Sequence, residues 1–171
     1  SSRSWSNGPG HRPVRHAAST VRSTEPKQSR PGNRLLVMAT LNVLVYSDDA
    51  SVRAQVMQAL GTRVAAELPR LTYVEVATEP VVMRTLDKGG VDLAILDGEA
   101  HPAGGLGICR AIKDEVFNAP PVLVLTGRPQ DAWLATWSRA DGVVPQPIDP
   151  VVLAETVATL LRRRVSAALA Q

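Results

Sequence analysis

The run Leu93-Ala94-Ile95-Leu96-Asp97-Gly98 decides how this chain reads. Four apolar residues lead straight into a carboxylate, and a glycine follows. A continuous apolar run of that length suits a strand buried on both faces, as in a parallel sheet. A carboxylate ending such a strand is costly to ionise unless something there uses the charge. Two other runs end in the same polar way: Val43-Leu44-Val45-Tyr46 enters Ser47-Asp48-Asp49, and Val122-Leu123-Val124-Leu125 enters Thr126-Gly127. In a parallel α/β sheet these ends converge on one edge, where such folds place their sites.

Working outward, apolar runs of strand length alternate with helix-period segments from residue 42 onward. The pattern predicts strands at 42–46, 72–77, 92–96, 121–126 and 142–144. Helices are expected near 50–67, 79–89, 104–117, 130–140 and 150–166. Such alternation implies a three-layer α/β/α fold with a doubly wound parallel sheet. The last helix has a clear start, with Asp149 as its cap and Pro150 in its first turn. Val152, Leu153, Val157, Leu160 and Leu161 make one apolar stripe along it. Arg162-Arg163-Arg164 is expected in its final turn, where cations suit the helix dipole, rather than as an RNA-binding patch.

At 171 residues the chain fits one domain with a tail. Aromatics make up only 4% of it, so the core must be aliphatic and base-stacking platforms are scarce. The net charge of +3 is unevenly spread: residues 1–37 hold seven of the 19 Lys and Arg but one of the 16 acids. The remainder is therefore mildly acidic and gives no footprint for nucleic acid. Residues 1–37, rich in Ser, Pro, Gly and Arg, are expected to be a disordered basic tail, with 38–171 as the folded domain. Met38-Ala39-Thr40 precedes the first strand, and Met38 is the expected natural start. A single cysteine, Cys109, excludes an intramolecular disulfide framework and a multi-cysteine zinc site. It falls in a helical pattern and reads as a small buried hydrophobe. No apolar run approaches the ~20 residues of a membrane span, so a cytoplasmic location is expected.

With the strands in flavodoxin-like order, 2-1-3-4-5, the first, third and fourth become neighbours, and Asp48, Asp97 and Thr126 share a rim. Two carboxylates that close repel, and oxygen ligands of this type suit Mg2+. A nucleophilic carboxylate beside Mg2+, with a hydroxyl to bond a phosphoryl oxygen, is a phosphoryl-acceptor site. The bland alternative is a pair of solvated loop acids and a turn threonine.

Over about residues 42–165 the chain resembles the receiver domain of two-component response regulators. In that family an acidic pair ends the first strand, the phospho-acceptor Asp ends the third, a Thr or Ser ends the fourth, and Lys-Pro follows the fifth. The matches here are Asp48, Asp97, Thr126 and Gln146-Pro147, with Gly105-Leu106 in the loop after the acceptor and Arg53 early in the first helix. The resemblance implies Asp97 as phospho-acceptor and Thr126 as the phosphoryl hydrogen-bond donor. It implies Mg2+ held by Asp48, Asp97 and the backbone carbonyl of Glu99, and a cis Gln146-Pro147 bond.

The departures are specific. Counting back from Arg53 puts Ser47 and Asp48 at the acidic-pair positions and leaves Asp49 outside the pocket, so one usual carboxylate is missing. Gln146 replaces the Lys that pairs with the phosphoryl group. A unit ion pair at 4 Å is worth roughly 4 kcal/mol at an effective dielectric near 20, against about 5.5 kcal/mol needed to move a switch from 1:99 to 99:1. Val143 stands where a switch aromatic is usual. The Thr126-to-Gln146 stretch is short, which points to a clipped loop or fourth helix.

The leading reading is an atypical stand-alone receiver that is not an enzyme and carries no DNA-binding output domain. Its donor would be a sensor histidine kinase or another phosphodonor, and its output protein–protein contact, in a phosphorelay or independently of phosphorylation. The face made by the fourth helix, fifth strand and fifth helix is the expected partner surface. Trp133 and Trp137, four apart on the fourth helix, either pack on the sheet or form a docking pair there. His101 reads as a solvated loop residue. One alternative is a small phosphatase or phosphotransferase using Asp97 as nucleophile, although Glu99 stands where that chemistry wants a second Asp. Another is a flavodoxin-like ligand-binding module, which lacks a glycine-rich phosphate loop after the first strand.

Overall fold

The computed structural model describes residues 40–128 and 132–170; segment 1–37, Met38 and the start of the expected 130–140 helix lie outside the described residues. Five strands alternate with five helices: β1 Thr40–Tyr46, α1 Ala50–Leu60, β2 Arg70–Val76, α2 Glu79–Asp87, β3 Leu93–Asp97, α3 Gly105–Glu115, β4 Val122–Thr126, α4 Ala132–Ser138, β5 Gly142–Pro145 and α5 Pro150–Leu169. All neighbours pair in parallel, in the order β2-β1-β3-β4-β5. This is the flavodoxin-like doubly wound sheet that the alternation predicts. The chain reverses its winding at β1 and β3, so their carboxyl ends open the crevice of the fold.

Alternation along each strand divides the core. Val43 and Val45 of β1, Leu93 and Ile95 of β3, and Leu123 and Leu125 of β4 face α1 and α5. Leu44 and Tyr46, Ala94 and Leu96, and Val122 and Val124 face the opposite layer, against Val82 and Leu86 of α2 and Ile108, Cys109 and Ile112 of α3. Strands β3 and β4 are buried at every position, which is why their runs carry no polar residue before Asp97 and Thr126. Each fully buried aliphatic side chain contributes roughly 1.5–3 kcal/mol.

Two helix ends differ from the sequence pattern by more than two residues. α1 ends at Leu60 rather than 67, because Gly61 turns left-handed (φ 63°) and donates its N–H to Met57 O. Val64 and Ala65, which continued the apolar period, pack on the core from the following loop instead. α5 runs on to Leu169, so the three arginines do not lie in its last turn. Two of them meet acidic side chains: Arg162 Nε lies 2.7 Å from Glu67 and Arg164 Nε 3.7 Å from Asp92. The start of α5 is as read, with Asp149 Oδ1 accepting from Val151 N and Val152 N. Its stripe keeps Leu153, Val157, Leu160 and Leu161, whereas Val152 is exposed and Val165 is buried.

Candidate functional site

Asp97 closes β3 and is 3% exposed. Strand pairing fixes it: the Cα register sets Asp97 beside Leu125, and Gly98 N donates to Leu125 O at 2.7 Å. A Cβ on Gly98 would lie 2.5 Å from that carbonyl, so only glycine lets the chain leave the sheet there. Three neutral groups then converge on the carboxylate. Ser47 Oγ donates to Oδ2 at 2.8 Å, while Glu99 N and Gln146 Nε2 donate to Oδ1 at 2.9 and 3.0 Å.

Each donor is delivered by an element end. Ser47 follows β1 and is fully buried; its N donates to Val76 O and its Oγ accepts from Asp49 N. Gln146 follows β5, anchored by its N–H to Thr126 O at 2.7 Å, and the Gln146-Pro147 bond is cis. Thr126 is buried at the end of β4. Asp48 is exposed at the rim, and Asp49 points its carboxylate away as the cap of α1, accepting from Ser51 N. The bonds to Ser51, first the hydroxyl and then the amide, hold the Asp49 carboxyl below its usual range. Ser47 and Gln146 thus meet on Asp97, Thr126 adjoins them through the bond of its carbonyl to Gln146 N, and Asp49 turns its carboxylate to Ser51.

Electrostatics place the carboxylates relative to one another. Burial first, and then the negative charges of Asp48, Glu79 and Asp97, raise the Tyr46 phenol above its ordinary value. Both Asp48 and Asp97 therefore lie close enough to β1's end to act on one ring. Among the described residues neither is ion-paired with a Lys, Arg or His. No group of three or more His, Cys, Asp or Glu side chains capable of holding a metal occurs among them either. Asp48, Asp97 and the Glu99 main-chain carbonyl are the oxygens that could hold Mg2+, which commonly binds one or two carboxylates and keeps its waters. The donor set is poorer by one charge than an acidic pair would make it, because Ser47 is neutral.

A 62% identity over 122 residues links the chain to an uncharacterized response regulatory protein of Mycobacterium tuberculosis, covering 71% of this chain and 92% of that one. The chain belongs to the response regulator family. No protein-family model matches it. Solved receiver domains share the fold. One is the CheY-like receiver from Methanospirillum hungatei, at TM-score 0.58 and 18% identity over 75% of this chain and 98% of that one. Another is the receiver of an HD domain-containing protein from Pseudomonas fluorescens, at TM-score 0.63 and 18% identity over 76% and 93%.

Around this receiver's Asp97 stand contacts that the sequence alone did not single out. Tyr46 OH donates to Ala103 O at 2.5 Å, tying β1 to the loop after Asp97. Gly105 lets α3 approach the strand: a Cβ there would lie 2.8 Å from the Asp97 carbonyl atoms. The Glu99 side chain lies against Gly127, where a Cβ would overlap it. The glycines carried a signal, since each sits within two residues of a site position or at a helix start. Tyr46 carried none, because a strand-end aromatic is ordinary core.

Away from the pocket, Trp133 and Trp137 are 68% and 46% exposed, so they do not pack on the sheet. The Arg110 guanidinium lies 4.6 Å from the Trp137 ring centroid, joining α3 to α4. Cys109 is fully buried, with burial raising its thiol to about 11. His101 is exposed, as expected of a loop histidine. No helix among the described residues is long and apolar enough to cross a membrane.

Proposed function

We propose that this receiver accepts a phosphoryl group on Asp97 and signals through protein contact. The observation that carries the reading is the convergence of Ser47, Glu99 N–H and Gln146 on one buried carboxylate at the end of β3. A carboxylate fixed by neutral donors, and ion-paired with no Lys, Arg or His among the described residues, keeps the negative charge a nucleophile needs.

A carboxylate oxygen of Asp97 attacks the phosphorus of a phosphodonor, a histidine kinase's phosphoimidazole or a small acyl phosphate. The P–N or P–O bond to the donor breaks and its electron pair goes to the leaving group: the imidazole takes up a proton, whereas an acyl phosphate leaves as the ionised carboxylate. Asp48, Asp97 and the Glu99 carbonyl would hold Mg2+, which supplies charge neutralisation for the phosphoryl oxygens. Thr126 donates its hydroxyl to one of those oxygens. Gln146 moves its amide from Asp97 Oδ1 to another, giving one neutral hydrogen bond where a lysine would give an ion pair. The aspartyl phosphate carries about −1.5 to −2 charges where the free carboxylate carried a single one, and is read by a cytoplasmic protein partner. The exposed Trp133 and Trp137 on α4 are the contact surface in this reading.

The test is Mg2+-dependent binding of beryllofluoride, a phosphoryl mimic, followed by NMR with Asp97→Asn as control. Saturable shifts that reach Thr126 and Gln146 and vanish in the control are expected. No response at millimolar Mg2+ would overturn phosphoryl acceptance and leave a phosphorylation-independent regulator.

A further inference from the structure

Ser47 is held from the side opposite Asp97 by a pair of residues with no part in the reaction described above. Arg53, in the first turns of α1, donates Nη1 to Ser47 O at 2.6 Å, and its Nε donates to Glu75 Oε1 on β2 at 3.2 Å. The Arg53 side chain is only 16% exposed. The strand register sets the Glu75 backbone beside Val45, two residues before Ser47, and its half-exposed side chain reaches Arg53 from there. Every polar atom of Ser47 is thereby engaged: N to Val76 O, O from Arg53, and Oγ both to Asp97 and from Asp49 N. A serine hydroxyl rotates freely about χ1 and has several acceptors to choose from at a strand end. Here the backbone carrying it is clamped, and that leaves Asp97 Oδ2 as the acceptor within reach.

We infer that Arg53, oriented by Glu75, is a positioning residue that fixes the Ser47 hydroxyl on Asp97 Oδ2 and so sets the orientation of the acceptor carboxylate. The inference rests on Asp97 being the reacting group, but the contact itself exists without a phosphodonor. A guanidinium serves this role because its fork reaches a carbonyl and a carboxylate together from one planar group. Lysine offers a single point of attachment and would keep one bond at a time.

The test compares Ser47→Ala, Arg53→Ala and the double variant by NMR of the full chain without phosphodonor. The reporters are the Glu99 backbone N–H and the Gln146 side-chain amide, both bonded to the other oxygen of the same carboxylate. Arg53→Ala is expected to move both reporters in the direction that Ser47→Ala moves them, and the double variant to add nothing further, as residues acting in series require. Arg53→Lys should restore part of the shift. With acetyl phosphate and Mg2+, the single and double variants should change the phosphorylation rate by the same factor, to within about twofold. Shifts confined to α1 and β2, with Glu99 and Gln146 unmoved, would overturn the inference, as would additive effects in the double variant. Should Arg53→Ala fail to fold, Glu75→Gln removes the charged support and must reproduce the same pattern at reduced amplitude. Failure of beryllofluoride binding would strike the proposed function and leave this contact testable.

Discussion

Ser47 donates its hydroxyl to Asp97 Oδ2 at 2.8 Å across the junction of β1 and β3. A neutral donor thus occupies the place of a second carboxylate. Ser47→Asp exchanges that bond for repulsion between two charges in a buried setting. The variant should be less stable than the parent without metal and regain stability as Mg2+ is added, by the mass-action term for a ligand of the folded state. Its Mg2+ affinity should rise roughly tenfold, since the site gains one full charge. Thermal melts over a Mg2+ series read both effects, and a melting temperature indifferent to Mg2+ would reject the site.

Gln146 donates to the other Asp97 oxygen at 3.0 Å. Lysine at this position would pair with the phosphoryl group by a charge-assisted bond, roughly twice as strong as a neutral one. Gln146→Lys is expected to tighten beryllofluoride binding about tenfold, a fraction of the ~4 kcal/mol limit for an ion pair at 4 Å. Equal affinities in the two proteins, measured by NMR titration, would mean that residue 146 does not face the phosphoryl group.

Gly105 begins α3 against the end of β3, where a Cβ would meet the Asp97 carbonyl oxygen at 2.8 Å and Leu96 Cβ at 2.9 Å. These neighbours are backbone and a packed core residue, so they yield only by shifting the helix. Gly105→Ala should cost about 1–3 kcal/mol, the usual range for overpacking, and should weaken beryllofluoride binding by displacing the acceptor loop. Gly107, one half-turn on with open space around it, is the control: Gly107→Ala should leave binding unchanged.

The sheet order and the shared rim of Asp97 and Thr126 were legible because buried parallel strands write themselves as apolar runs with polar ends, whereas Gln146 was named only through the resemblance to receivers. Ser47 was legible only through a count from Arg53, which fixed the register of the first loop. What Arg53 does was not legible: its bond runs to a backbone carbonyl, and its partner Glu75 is an ordinary outward position on β2. The end of α1 was missed because Val64 and Ala65 keep the helical period while serving the core from a loop. The place of the three arginines was missed for a related reason. A helix of small residues such as Ser166, Ala167 and Ala168 carries no stop signal, so α5 continues past them.

Cys109 lies on the buried face of α3, its thiol raised by burial from an ordinary value of 9.0 to about 11 and its Sγ donating to Ser138 O. The fold favours the neutral thiol, so this contribution to stability is complete below pH 9 and is lost as pH rises toward 11. Tyr73, raised by burial to about 12, adds a similar loss from pH 10 upward. Cys109→Ala should therefore flatten the decline in melting temperature between pH 9 and 11 and leave the later part. At pH 8 the two-unit shift lowers the thiolate fraction about 100-fold, and alkylation of the native protein should be slower than in urea by at least about that factor. Rapid alkylation of the folded protein would contradict the burial.

Trp133 and Trp137 present two large rings to solvent on a helix of seven residues. Exposed side chains contribute little to the core, and most surface substitutions fall within about 0.5 kcal/mol. The Arg110 contact adds at most about 0.5–1 kcal/mol at an exposed ring. Trp133→Ser with Trp137→Ser should then cost no more than about 1.5 kcal/mol in chemical denaturation and leave beryllofluoride binding at Asp97 intact. Interface energy concentrates in buried aromatic and arginine anchors, with losses of 2 kcal/mol or more on truncation. If these rings are such anchors, the double variant should lose its partner in cells by more than about tenfold while remaining phosphorylatable. In-cell crosslinking of parent and variant measures the loss. Retention of the same crosslinked partner by the variant would move the output surface elsewhere on the receiver, and a large fall in stability would show that the rings serve the fold instead.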